Sequence, residues 1–83
     1  MDRETWADAA VFAAIAEVGS FTRAGTRLGV SASALSHRMR ALETRLGVRL
    51  LNRTTRSVKP TEAGERLLGS LRPAIRDLDE ALI

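Results

Sequence analysis

Apolar residues recur along this chain with a helical period, and small and polar residues break that period at regular intervals. Over residues 4–18, Val11, Phe12, Ile15 and Val18 share a broad apolar face with Ala9 and Ala16, and Glu17 lies opposite. Asp2 or Thr5 is placed to cap this first helix, Asp8 sits near its positive end, and Gly19 supplies a left-handed stop. Trp6 falls off the apolar arc, as a lid on the core edge or a contact for a partner subunit. Ser20 caps a second helix over residues 21–28, with Phe21, Ala24, Gly25 and Leu28 turned inward and Thr22, Arg23, Thr26 and Arg27 outward. Glycine costs roughly 1 kcal/mol of helix propensity relative to alanine, so Gly25 predicts a close approach by another segment. Gly29 then ends the helix, Val30 is expected to enter the core, and Ser31 caps a third helix. In that helix Leu35, Met39, Leu42 and Leu46 form one stripe, and Ser33, Ser36, His37, Arg40 and Thr44 occupy the opposite face.

After Leu46-Gly47 the character changes. Val48-Arg49-Leu50-Leu51 and Ser57-Val58-Lys59 are β-capable and flank the polar run Asn52-Arg53-Thr54-Thr55-Arg56, predicting a two-stranded hairpin that needs helices to pack on. Its tip carries Arg53 and Arg56, suited to a phosphate backbone or a narrow minor groove. Pro60 blocks continuation of the second strand, and Thr61 caps a last helix whose first turn is favoured by Glu62 and Glu65. Leu67, Leu71, Ala74, Leu78 and Ala81 recur there at alternating spacings of four and three, with Leu68, Ile75 and Leu82 every seven beside them. This seam either covers the domain core or pairs two copies of the helix. Its width favours dimerisation, through Leu67, Leu71, Ala74, Ile75, Leu78 and Leu82. Pro73 removes one backbone donor and is expected to kink or weaken the helix locally.

Composition narrows the class. At 83 residues and 45% hydrophobic, the chain makes one small, mainly α domain with a modest core. No apolar run approaches the roughly 18 residues of a membrane span, and the acidic start MDRETWAD is unlike a secretory signal. Cysteine is absent, which excludes disulfides and thiolate metal sites and fits a reducing cytoplasm. One histidine, no tyrosine, no glycine-rich phosphate loop and no metal-ligand cluster leave nothing to support catalysis, a cofactor or a metal.

Charge distribution carries more than the net value of +3. Residues 1–20 hold one base against four acids, and residues 61–83 three bases against five acids. Residues 21–60 hold nine bases against Glu43 alone, a local net of +8. A solvated surface would interleave acids among those bases; their absence points to a polyanion. A helix, a short glycine turn and a second helix with a basic, hydroxyl-rich face form the arrangement that a DNA major groove receives. A helical adaptor using the 67–82 seam is the competing reading. It explains the seam and leaves the basic centre without a role.

At this point the residues match a known pattern. Phe12, Ile15-Ala16, Gly19-Ser20-Phe21-Thr22, Ala24, Leu28, Val30-Ser31, Ala34-Leu35-Ser36 and Ala41-Leu42-Glu43 resemble the N-terminal domain of LysR-type transcriptional regulators. Leu46 to Thr54 and Thr61-x-Ala63-Gly64-Glu65 are similar to that family's wing and the start of its linker helix. The resemblance implies a winged helix-turn-helix, a three-helix bundle plus wing, over residues 1–60, followed by a long C-terminal linker and dimerisation helix over 61–83. It further implies a homodimer on promoter DNA, and a small-molecule co-inducer bound only by a following domain that 83 residues cannot contain.

The recognition helix, about 32–46, is then expected to place Ala32, Ser33, Ser36, His37 and Arg40 in the major groove. Ser31, Thr22 and Arg23 are expected at phosphates, and Arg53, Thr54 and Arg56 of the wing, about 52–57, on the backbone or minor groove. Arg38 sits beside the leucine stripe and is placed to brace Glu43; Arg45 and Arg49 suit either a phosphate or solvent. The family commonly begins this helix Gln-Pro-Ala-Leu-Ser-Arg-Gln, where this chain has Ala32-Ser33-Ala34-Leu35-Ser36-His37-Arg38. Ala32 lacks the amide that pairs with adenine, though its methyl suits a thymine methyl. Docking geometry therefore carries over and base preference does not. Gly25, where the family usually has Ala, weakens the second helix slightly. The division of labour predicts that His37→Ala changes which site is preferred, whereas Arg56→Ala weakens all sequences alike and flattens the salt dependence. Competition gel shifts with specific and random duplexes check it, and equal losses from both substitutions would refute the division.

Overall fold

A computed structural model describes residues 2–54 and 57–83. The elements run α1 (Arg3–Val18), α2 (Phe21–Leu28), α3 (Ala32–Leu46), β1 (Leu51–Arg53), β2 (Val58–Pro60) and α4 (Glu62–Leu82). Every helix start is a side-chain cap. Asp2 Oδ1 accepts from the Thr5 amide at 2.7 Å, Ser20 Oγ from Arg23 at 3.2 Å, Ser31 Oγ from Ala34 at 3.1 Å and Thr61 Oγ1 from Gly64 at 3.0 Å. The backbone hydrogen bond from Thr5 holds the Asp2 carboxyl below its ordinary value. Gly19, Gly29 and Gly47 close α1, α2 and α3 in the left-handed region, at φ of 76°, 76° and 71°.

Helices α1, α2 and α3 enclose Phe12, Ile15, Ala24, Leu35, Met39 and Leu42, and the hairpin and α4 close the bundle with Leu50, Leu51, Val58 and Leu68. Gly25 is buried for the packing reason its presence suggested: a Cβ there would lie 2.5 Å from the Val30 carbonyl oxygen. The α2–α3 turn thus presses its backbone, rather than a side chain, onto α2. For that reason Val30, expected inside, is 43% exposed; Leu28, also expected inside, is 42% exposed. Trp6 is 65% exposed and is not among the residues packed on the core.

The hairpin is antiparallel, with Leu51 opposite Pro60, Asn52 opposite Lys59 and Arg53 opposite Val58. Its first strand starts three residues later than the apolar run at 48–51 suggests. The Leu50 and Leu51 amides donate to Glu43 Oε2 at 2.8 and 3.1 Å, so a carboxylate of α3 occupies the Leu50 donor that would have extended the ladder. Three further bonds seat the hairpin. Val58 N–H donates to Gly19 O at 3.2 Å, Thr61 N–H to Leu50 O at 2.9 Å and Thr61 Oγ1 to Arg49 O at 2.6 Å. Gly64, in the first turn of α4, lies against the Leu50 carbonyl so closely that a Cβ would overlap the oxygen.

Helix α4 runs unbroken through Pro73. Leu68 is buried and Leu67 and Leu71 pack against the core, whereas Ile75 borders a shallow groove with Ala10, Ala13 and Ala14 of α1. Ala74 is exposed, and so are Leu78 at 52% and Leu82 at 77%.

On the other flank of α3, Asp8 is only 3% exposed. Its Oδ1 accepts from Arg38 Nε at 2.8 Å and Nη2 at 2.6 Å, and its Oδ2 pairs with Arg45 Nη2, which bonds Glu4 at 3.2 Å through Nη1. Arg38 therefore braces α1 and not Glu43, because five residues carry it about 140° around the helix from Glu43. Hydrogen bonding to Asp8 holds the Arg45 guanidinium above its ordinary value. Among the described residues, no buried side-chain polar atom lacks a partner.

These contacts set the expected stability effects. Asp8→Asn should cost about 2 kcal/mol, below the figure for a wholly buried pair because both arginines are partly solvated. Glu4→Gln, at an exposed pair, should cost under about 0.5 kcal/mol. Gly64→Ala should cost about 1–3 kcal/mol by forcing α4 off the hairpin. Urea unfolding of the three variants checks all three values.

Candidate nucleic-acid interface

Position on the circumference of α3 sorts its polar residues into three strips. At about 100° per residue, His37, Thr44, Ser33 and Arg40 lie opposite the Leu35, Met39, Leu42 stripe. All four are exposed. Arg38 and Arg45 form the flank on Asp8, and Ala32, Ser36 and Glu43 form the flank toward the hairpin, half-buried. Ser36 thus sits at the edge of the exposed strip rather than in its middle.

The hairpin flank is a connected network. Arg53 Nη1 donates to Ser36 Oγ at 2.9 Å and Nη2 to Glu43 Oε1 at 3.2 Å, and its guanidinium carbon lies 5.1 Å from the centre of the Phe21 ring. Burial pushes the Arg53 guanidinium down from its ordinary value and Glu43 opposes that, but an arginine so placed stays charged at neutral pH. Arg53 ends β1 and turns back onto α3 instead of pointing from the tip. Thr54 shapes the turn itself, its Oγ1 donating to Ser57 O at 3.1 Å and accepting from the Ser57 amide at 3.0 Å. Arg56 lies outside the described residues.

The remaining sequence-predicted residues lie at helix starts and among the basic side chains. Ser31 is exposed at the start of α3 with its hydroxyl committed to capping, and Thr22 and Arg23 are exposed in the first turn of α2. Of the central cations, Arg38, Arg45 and Arg53 are held by buried or half-buried acids, and Arg27 meets Glu17 loosely at 3.8 Å. Arg23, Arg40, Arg49 and Lys59 have no ion pair among the described residues. Arg40 and Arg49 border a concavity between the end of α3 and the hairpin, floored by Gly47 and Val48. The dimerisation residues divide: Leu67 and Leu71 already pack on the core, and Ala74, Leu78 and Leu82 stand clear of it.

Sequence reasoning missed two carboxylates that matter here, Asp8 and Glu43. Asp8 carried a usable signal, because with Phe12 and Ile15 it continues the i, i+4, i+7 row of the apolar face. An acid on such a row needs a buried cation. Among the described residues no group of acids and histidine is placed to hold a metal ion. The surface offers hydrogen bonds and positive charge on a convex helix, which suits the floor and walls of a nucleic-acid groove.

Comparison with known proteins agrees with this geometry. Residues 6–65 match the family model described as a bacterial regulatory helix-turn-helix protein, lysR family. Over 82 residues, 99% of the chain, it is 56% identical to the HTH-type transcriptional regulator PgrR of Escherichia coli K12, of which it covers 27%. The chain spans about a quarter of the length of such curated relatives. The crystal structure of a CbnR DBD–DNA complex superposes with a TM-score of 0.81 at 33% identity, covering 98% of this chain and 90% of that one. The full-length structure of the Vibrio cholerae virulence activator AphB superposes with a TM-score of 0.87 at 32% identity, covering 93% of this chain and 27% of that one. The fold is accordingly a winged helix-turn-helix with a long C-terminal helix, and the chain belongs to the LysR-type family of bacterial helix-turn-helix regulators.

Proposed function

We propose that this chain is the DNA-binding part of a transcription regulator and has no enzymatic activity. The observation that carries the reading is the exposed strip Ser33, His37, Arg40 and Thr44. It is rich in donors and devoid of acid, and Arg49, which has no ion pair among the described residues, borders the same concavity as Arg40 and Thr44. Helix α3 enters the major groove with Ser33, Ser36, His37 and Arg40 at base edges and the Ala32 methyl toward a thymine methyl. Ser31, Thr22 and Arg23 meet phosphates at the two helix starts. The hairpin, with Thr54 and Arg56, lies along the backbone or the adjoining minor groove, while Arg53, expected there from the sequence, is held back on Ser36 and Glu43. Residues 1–60 form the DNA-binding body. Residues 61–83 form the linker, whose first turns belong to the core.

Two copies pair through the free half of α4, from Ala74 through Ile75 and Leu78 to Leu82, with Leu67 and Leu71 at the edge of the seam. Leu78 and Leu82 are large, exposed and on one face, which supports this. The helical-adaptor reading shares that support and gives the strip on α3 no purpose. No described helix is long and apolar enough to cross a membrane. A cytoplasmic site of action, and a small-molecule co-inducer bound by a following part of the protein, complete the proposal.

Gel shifts at stepped salt test it. Binding to random duplex should weaken linearly on a log–log plot, and Arg23→Ala should reduce the slope by about one. Sedimentation should show a dimer that Leu78→Glu dissociates. No shift at the lowest salt would overturn the DNA reading and leave the adaptor.

A further inference from the structure

Three hydroxyls lie beyond the first turns of α2 and α3, and they spend their protons differently. Thr26 Oγ1 donates to Thr22 O at 3.1 Å and Thr44 Oγ1 to Arg40 O at 2.9 Å, each bonding back one turn. Ser36 does not. Its Oγ accepts from Arg53 Nη1 at 2.9 Å, and among the described residues no acceptor takes its proton.

Arg53 has little freedom to release that bond. Its other arm is held by Glu43, the Phe21 ring lies beside the guanidinium, and its side chain is only 17% exposed. Glu43 is itself fixed by the amides of Leu50 and Leu51. A hydroxyl has one proton and two lone pairs. A cationic donor on one lone pair polarises the oxygen, strengthens the O–H as a donor, and opposes the approach of a second donor. Ser36 is thereby given a hydrogen-bonding direction.

We propose that Arg53 is a specificity-positioning residue. By occupying the Ser36 oxygen it makes Ser36 a donor toward DNA, so α3 favours a base with a major-groove acceptor at that position and disfavours cytosine. Guanine offers N7 and O6, adenine N7 and thymine O4, whereas cytosine presents only its N4 amino donor. This rests on the reading that α3 enters the major groove. The same acceptor chemistry exists on a phosphate oxygen, and the two sources differ in outcome, because a phosphate contact carries no base preference.

The test is selection of bound duplexes from a random pool, by the chain itself and by Ser36→Ala and Arg53→Lys, with thermal melts confirming that each variant folds. The unaltered chain should disfavour cytosine at one position of the site by roughly fivefold, the worth of about 1 kcal/mol in one hydrogen bond. Ser36→Ala should erase that bias there and leave the other positions unchanged. Arg53→Lys keeps the charge and a partner for Glu43 but lacks the fork that reaches Ser36 as well, so cytosine should rise at the same position alone. Ser36→Ala decides by itself should Arg53→Lys unfold. An unchanged profile in Ser36→Ala, or an equal loss on all sequences as a phosphate contact would give, overturns the proposal. A loss across all positions in Arg53→Lys reduces Arg53 to scaffolding and overturns it too. Absence of any enriched sequence with the unaltered chain is a different failure, that of the DNA-reading assignment itself.

Discussion

The carboxylate of Glu43 is the point on which the reading half of this molecule is hung. One oxygen takes the amides of Leu50 and Leu51, and the other takes an arm of Arg53, so a single side chain of α3 fixes where the hairpin begins. A charged acceptor on two backbone donors and a guanidinium makes stronger bonds than neutral pairs do. It also explains a three-residue ladder that is too short to stand alone. Because the hairpin is positioned from α3, the Leu50 carbonyl is presented to Thr61 and Gly64, and α4 departs from there. The path from α3 to α4 thus runs through one acid.

Asp8 does the corresponding work on the opposite flank, and together the two acids change the meaning of the basic centre. The local excess over residues 21–60 pointed to a polyanion, with nine bases against one acid. Folding draws Arg38, Arg45 and Arg53 inward onto carboxylates, leaving Arg23, Arg40, Arg49 and Lys59 without ion pairs among the described residues. Arginine suits both duties, since its fork satisfies a carboxylate from two directions and its charge survives burial. The free positive charge is less than composition implies, and of these cations Arg40 and Arg49 border one concavity at the end of α3.

Helix boundaries were legible because each is a local event. Asp2, Ser20, Ser31 and Thr61 bond amides three residues on, and Gly19, Gly29 and Gly47 stop helices by their own backbone freedom. The leucine stripe of α3 was legible by period, except that Leu46, at the helix end, is not buried. What escaped needs a partner distant in sequence. Asp8 and Arg38 are thirty residues apart, and nothing near either announces the other. The start of β1 escaped because its donors were taken by Glu43 and not by a strand. Val30 was misplaced because a backbone, seated on Gly25, filled the space assigned to its side chain. The family resemblance supplied the hairpin's role as a wing, which three paired residues would not have revealed.

A division of labour around α3 follows. The stripe and both flanks are committed to holding the helix, through Leu35, Met39 and Leu42, through Arg38 and Arg45, and through Glu43. Ser33, His37 and Arg40 make no side-chain contact that the fold requires among the described residues, and Thr44 only bonds back along its own helix. Substitution on that strip costs little stability, since exposed positions away from caps and pairs are nearly neutral. Under the proposed docking, base preference is therefore free to change at constant geometry, and two of the four departures from the common Gln-Pro-Ala-Leu-Ser-Arg-Gln pattern, Ser33 and His37, fall on that strip. Ser36 is the exception that joins the two roles, half-buried on the flank and bonded to Arg53. Under the proposed docking, a change there or at Arg53 touches the scaffold and the reading surface together, so the edge of the strip is the part of that surface least free to vary.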